Sequence, residues 1–175
     1  STIDGNLTLL SGGTITDTDG STVTVKGTLT ATTDQLNKII TLNDLAVDGA
    51  FTLDPDGTGA VTIVNDAGLI LAASTMGGTF SGTATTGNIT QTGALDIEGT
   101  TTLVTLGAGA DIDLAANGTG NAFTAHLLIT TNETGSDEDA HVSIDGGTTD
   151  LIIGNSTIDG NLTLLSGGTI TDTDG

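Results

Sequence analysis

Three short runs set carboxylates beside a glycine as at the end of a calcium loop: Asp17-Thr18-Asp19-Gly20, Asp54-Pro55-Asp56-Gly57 and Asp172-Thr173-Asp174-Gly175. A complete loop also needs an earlier Asp or Asn and a bidentate Glu after the glycine. Ile15 holds the earlier slot in the first run, and Thr52 and Leu53 offer no ligand in the second. Asp and Gly are also favoured in β-turns for backbone reasons alone. Asp17, Asp19, Asp54 and Asp56 therefore read as turn residues first, with calcium ligation as the alternative. A second acidic group, Glu133, Asp137, Glu138 and Asp139, lies in residues 131–140 (TNETGSDEDA). It reads as a solvated charged loop, or as a cation-binding or fibre-contacting insertion. His126 and His141 flank it without metal-ligand spacing.

Chemistry beyond cation binding finds little material. Against 22 acidic residues stand only Lys26 and Lys38, giving a formal charge of −20. No arginine is available to hold an acidic polysaccharide, and no pair of carboxylates is marked out for glycoside hydrolysis, so the chain is read as a non-enzyme. The same charge balance excludes a nucleic-acid footprint. No apolar run is long enough to span a bilayer. There is no cysteine, hence no disulfide framework or thiolate metal site. Six N-x-S/T sequons, at Asn6, Asn88, Asn117, Asn132, Asn155 and Asn161, matter only where the source glycosylates them. The chain does not begin with Met and reads as an excerpt or mature fragment.

The elements that would carry these residues are strands. Residues 7–9, 23–25, 29–31, 61–63 and 112–114 alternate apolar with polar, and Gly, Asn or Asp breaks such runs every few residues. Thr, at 38 residues the commonest type, suits a half-exposed pleated surface. Residues 32–38 read as either one helical turn or a loop. Thr-x-Thr pairs such as Thr14/Thr16, Thr22/Thr24 and Thr28/Thr30 resemble those of ice-binding solenoids. An ice face needs pairs one full rung apart, however, and the spacing here puts consecutive pairs on different faces.

Residues 1–20 (STIDGNLTLLSGGTITDTDG) recur letter for letter at 156–175. The period is 155 residues, so 1–155 form one repeat and 156–175 begin the next. Inside it, residues 39–53 align with 111–125 at a spacing of 72, and 69–82 with 151–164 at 82. The half-repeats then span about 72 and 83 residues, with the extra residues near 130–140. Short strands, Gly-rich corners and a long period predict an all-β, right-handed parallel β-solenoid, open at its ends, with roughly seven to eight rungs per repeat. Its interior would hold Leu, Ile, Val, Ala and the three Phe residues. A β-sandwich is the alternative, and it lacks its usual buried Trp and Tyr here.

Residues 1–20 and the following STVTVKGTLTA, together with GALDIEGTTTLVTLGAGADIDLAANGTGNAFTA (residues 93–125), resemble the repeats of filamentous-haemagglutinin-like proteins. The resemblance covers most of 1–30 and 69–125. It implies a large bacterial adhesin or fibre, extracellular or on the outer cell surface, built as an extended β-helix and without catalytic residues. The expected function is thus a structural segment, a filament or adhesin stalk. The alternatives are a glycan- or surface-binding module, or a short subunit that polymerises without covalent links. The expected partner is the chain itself, with no nucleic acid, no membrane insertion and no identified receptor. Calcium is the one cofactor expected, bridging acidic fibres. Unchanged melting and bundling in a chelator would contradict it.

Overall fold

Residues 1–17, 20–117, 120–132 and 139–173 are described by the computed structural model. They form 21 strands in three parallel sheets and no helix. One sheet contains β2 (Leu7–Ser11), β5 (Leu29–Thr33), β7 (Phe51–Pro55), β9 (Leu69–Leu71), β12 (Ile89–Gln91), β15 (Ile112–Leu114), β18 (Val142–Asp145) and β20 (Leu162–Leu165), stacked in that order. A second stacks β1 (Thr2–Ile3), β4 (Val23–Val25), β6 (Ile40–Val47), β8 (Val61–Asn65), β11 (Phe80–Ala84), β14 (Thr101–Ala108), β17 (His126–Asn132), β19 (Leu151–Ile153) and β21 (Ile170–Asp172), with β3 (Ile15–Thr16) also paired to β6. The third consists of β10 (Ser74–Met76), β13 (Leu95–Ile97) and β16 (Ala122–Phe123).

Each strand pairs with the equivalent strand one turn later, so the chain is a parallel β-solenoid of about seven turns. The strands read from the sequence are all present. Alternation puts every second residue inward: β5, β8 and β11 each show buried residues at positions one, three and five. Phe51, Phe80 and Phe123 are buried, one in each sheet. Residues 34–38 form a turn that ends β5, resolving the helix-or-loop alternative.

A narrow stack must satisfy backbone groups wherever successive turns fail to pair, and buried polar side chains do this. Asn65 sits opposite β6 and completes its ladder: Oδ1 accepts the Val47 N–H (2.8 Å) and Nδ2 donates to the Val47 carbonyl (2.9 Å). The Ser74 hydroxyl accepts the Leu53 N–H (3.0 Å) and donates to the Ala72 carbonyl (3.0 Å), bridging the break between β9 and β10. Ser156 repeats this device with the Ile129 N–H and the Gly154 carbonyl. Ser74 and Ser156 are equivalent in the 82-residue alignment.

Identical residues in successive repeats do not head the same column. From Ile15 the pairing runs through Ile40, Val61, Phe80, Thr101, Leu127 and Ile153 to Asp172, two residues beyond Ile170, the counterpart of Ile15. The first sheet agrees. Leu7 leads through Leu29 and Phe51 to Leu71, whereas its counterpart Leu162 leads down through Val142, Ile112 and Ile89 to Leu69. One repeat thus advances the chain seven turns less two residues.

Thr101 is the one inward residue of the Ile15 column, before Asp172, that carries a hydroxyl. It is buried, and its Oγ1 has no hydrogen-bond partner. An orphaned buried hydroxyl costs stability, and valine has nearly the same shape. Thr101→Val is expected to stabilise the chain by about 1 kcal/mol. A denaturant melt checks this; a lower midpoint for the variant would contradict it.

Candidate functional site

Asp17 lies at the corner after β3 and faces the bulge of β6 between Leu42 and Leu45. The bulge leaves two backbone donors out of the ladder. The Asp17 carboxylate receives both, from Asn43 N–H (3.0 Å) and Asp44 N–H (2.8 Å). It therefore acts as a clamp between turns. Its neighbour Asp19 lies outside the described residues.

Asp54 and Asp56 stand on the rim of a surface groove that Asp34, Thr58 and Glu98 also line. Both are exposed. The turn between them is fixed by backbone contacts. Asp56 donates its N–H to Thr33 Oγ1 (3.1 Å), and its carbonyl accepts the Asn37 N–H (2.8 Å). Gly57 has φ 68°, and a Cβ there would lie 2.6 Å from Asn37 Oδ1. Asn37 Oδ1 in turn accepts the Thr58 N–H (2.9 Å). Glycine is required at this corner by the left-handed backbone and by the approach of the preceding turn.

Of the second acidic group, Glu133, Asp137 and Glu138 lie outside the described residues. Asp139 is exposed just before β18. The turn from Ile112 to Val142 takes 30 residues, the longest pairing offset in its sheet, and contains this insertion. His126 belongs to β17 and His141 precedes β18, so they are on different sheets. His141 Nδ1 accepts the Asn161 N–H (3.0 Å), and the His141 backbone N–H donates to Asp111 Oδ1 (2.7 Å). Among the described residues, no three Asp, Glu or His side chains gather as a group that could hold a metal.

Hydroxyls do line up one rung apart, at Thr16, Thr41, Thr62, Ser81 and Thr102. The adjacent outward column over β8, β11, β14 and β17 is mixed, reading Val64, Thr83, Val104 and Thr130. Consecutive Thr-x-Thr pairs do not supply the rank; it draws single hydroxyls from successive turns.

The feature that separates this chain from a generic solenoid is its pair of identical ends. In residues 1–20, β2 pairs upward with β5 and β3 with β6. In residues 156–175, β20 pairs downward with β18 and β21 with β19. The same letters thus bind through opposite edges. Ile15, covered by β6, is 8% exposed, and Ile170, its counterpart, is 46% exposed. No motif in the sequence marks this two-sided use; only the exact duplication hints at it.

Fold and ends together define a tandem-repeat β-solenoid. A family model described as "Repeats of unknown function (DUF5649)" matches residues 58–130 and 139–175, more than half of the chain. The chain belongs to this family. No curated protein and no solved structure matches it.

Proposed function

We propose that the chain is a structural segment of an extracellular or cell-surface fibre, a filament or adhesin stalk made of tandem β-solenoid repeats. The observation that carries this reading is the recurrence of one 20-residue sequence seven turns on, stacking through its upper edge in one copy and its lower edge in the other. A recognition module has no need to repeat its edge strands identically, whereas a spacer that continues by stacking does. The resemblance to haemagglutinin-like repeats supports the placement outside the cell.

The test is length. Chains carrying one, two and three copies of the 155-residue unit should be rods of constant width in electron micrographs. At ~4.8 Å per turn, each added unit should lengthen the rod by about 34 Å. Particles that thicken or collapse instead of lengthening would overturn the stalk reading. Labelling of intact cells with an antibody to the chain checks its location. Signal appearing only after permeabilisation would overturn surface placement.

A further inference from the structure

We propose that His141 is a pH-sensitive latch at the seam between consecutive repeats: its neutral imidazole holds the first turn of the next repeat, and protonation releases it. The seam lies inside the chain, where residues 156–175 stack on the turn of β18 as the start of the next repeat. The inference holds whatever an array of repeats is used for, so it stands apart from the fibre reading.

The latch belongs to a ladder along one corner of the solenoid, just before the strands of the first sheet. There a side-chain acceptor on one turn receives the backbone N–H of the equivalent residue on the next. Asn6 Oδ1 accepts from Thr28 (2.9 Å), Asn88 Oδ1 from Asp111 (3.0 Å), Asp111 Oδ1 from His141 (2.7 Å) and His141 Nδ1 from Asn161 (3.0 Å). Asn161 is the counterpart of Asn6, so the last link crosses from one repeat into the next. Two backbone bonds flank it, from Val142 N–H to the Asn161 carbonyl (2.8 Å) and from Gly160 N–H to the Ala140 carbonyl (3.1 Å). The imidazole lies close against Gly160, where a Cβ would stand 2.6 Å from Nδ1.

An asparagine carbonyl accepts whatever the pH. An imidazole accepts at Nδ1 only while it is neutral with its proton on Nε2, and histidine is the side chain that changes charge between pH 5 and 8. A solvent proton added to Nδ1 sets two N–H groups against each other. Among the described residues, the ionisable groups on the turns stacked at this corner are carboxylates: Asp111 and Asp113 below, Asp139 and Asp145 on the same turn, and Asp159 above. Glu133, Asp137 and Glu138, also on this turn, lie outside the described residues. Lys26 and Lys38 flank β5, far down the stack. The charged ring is drawn to the carboxylates, and the Asn161 N–H loses its acceptor. The link is therefore made at high pH and lost as the pH falls, once in every repeat.

Nitrogen-15 NMR of the full chain tests this. An N–H···N hydrogen bond carries a scalar coupling between its two nitrogens, so the Asn161 amide should couple to His141 Nδ1 at pH 8 and not at pH 5. Over the same range the hydrogen-exchange protection factor of Asn161 should fall about ten-fold relative to that of Asp111, the weight of one hydrogen bond. Asp111 is the internal reference because its N–H is held by Asn88. His141→Asn supplies a non-titrating acceptor of the kind used at Asn6 and Asn88, and its Asn161 protection, on the same reference, should be equal at the two pH values. Absence of the coupling at pH 8, or its persistence once the ring is protonated, would overturn the latch. So would a loss of Asn161 protection on acidification that is as large in His141→Asn as in the wild type. The fibre reading is judged separately, by the rod lengths.

Discussion

Replacing Asn121 with leucine is expected to remove about 3–5 kcal/mol of stability, the range for breaking a buried polar network. Asn121 is 3% exposed and ties three successive turns together. Its Oδ1 accepts the Leu95 N–H (2.9 Å) and Gln91 Nε2 (3.0 Å). Its Nδ2 shares two hydrogens among three acceptors, Gln91 Oε1, the Leu114 carbonyl and the Asp145 carbonyl, at 2.9–3.1 Å. Leucine has the same branching with bulkier ends, so no cavity is left and the loss comes from stranded polar groups and the crowding of two methyls. A backbone donor, two carbonyls and the Gln91 amide all lose a partner at once. Denaturant melts measure the total, and faster hydrogen exchange at Leu95 identifies its source. Adding Gln91→Leu should cost much less in the Asn121→Leu background than alone, since the two amides share one network. A loss below about 1 kcal/mol for Asn121→Leu would mean that water replaces the network without penalty.

Phe80→Ala should cost a similar amount, about 3–5 kcal/mol, through lost burial and the cavity left behind. Phe80 is 1% exposed and stacks between Val61 and Thr101. The ring fits because Gly82, the next inward residue, has no side chain. A Cβ at position 82 would stand 2.8 Å from Phe80 Cζ and 2.8 Å from Leu69 Cδ2. The two positions share one volume. Gly82→Ala should therefore destabilise the wild type and cost less in a Phe80→Leu background, where only the approach to Leu69 remains. Thermal melts of the four proteins give the coupling. Additive losses would show that the two side chains do not compete for space.

These two sites differ in how far the sequence discloses them. Phe80 was legible: strand alternation assigns each residue to a face directly, and a large apolar residue in an alternating run goes inside. Asn121 was not. Asn, Gln, Ser and Thr read as turn formers, and the groups that Asn121 satisfies lie up to 30 residues away in sequence. Only stacking brings them together. Asp17 shows the same limit, since its use as a bulge clamp depends on donors 26 and 27 residues further on. The Ser74/Ser156 bridge was partly visible as an alignment, though not its role. The long repeat was fully visible, while its two-residue slip was hidden, because sequence identity fixes equivalence and says nothing of which residues pair.

That slip gives the repeating surface an angular phase. With about 22 residues to a turn, two residues correspond to roughly one-eleventh of the circumference. In an array of such repeats, measured against the hydrogen-bonded columns, every chemical feature of one repeat would reappear in the next at a different bearing. The acidic rim around Asp54, Asp56 and Glu98 would thus follow a slow spiral along an array, with no single side collecting the charge. Two such arrays lying straight alongside each other could match faces over only part of their length. Close lateral contact over many repeats would require them to wind around one another as a cord.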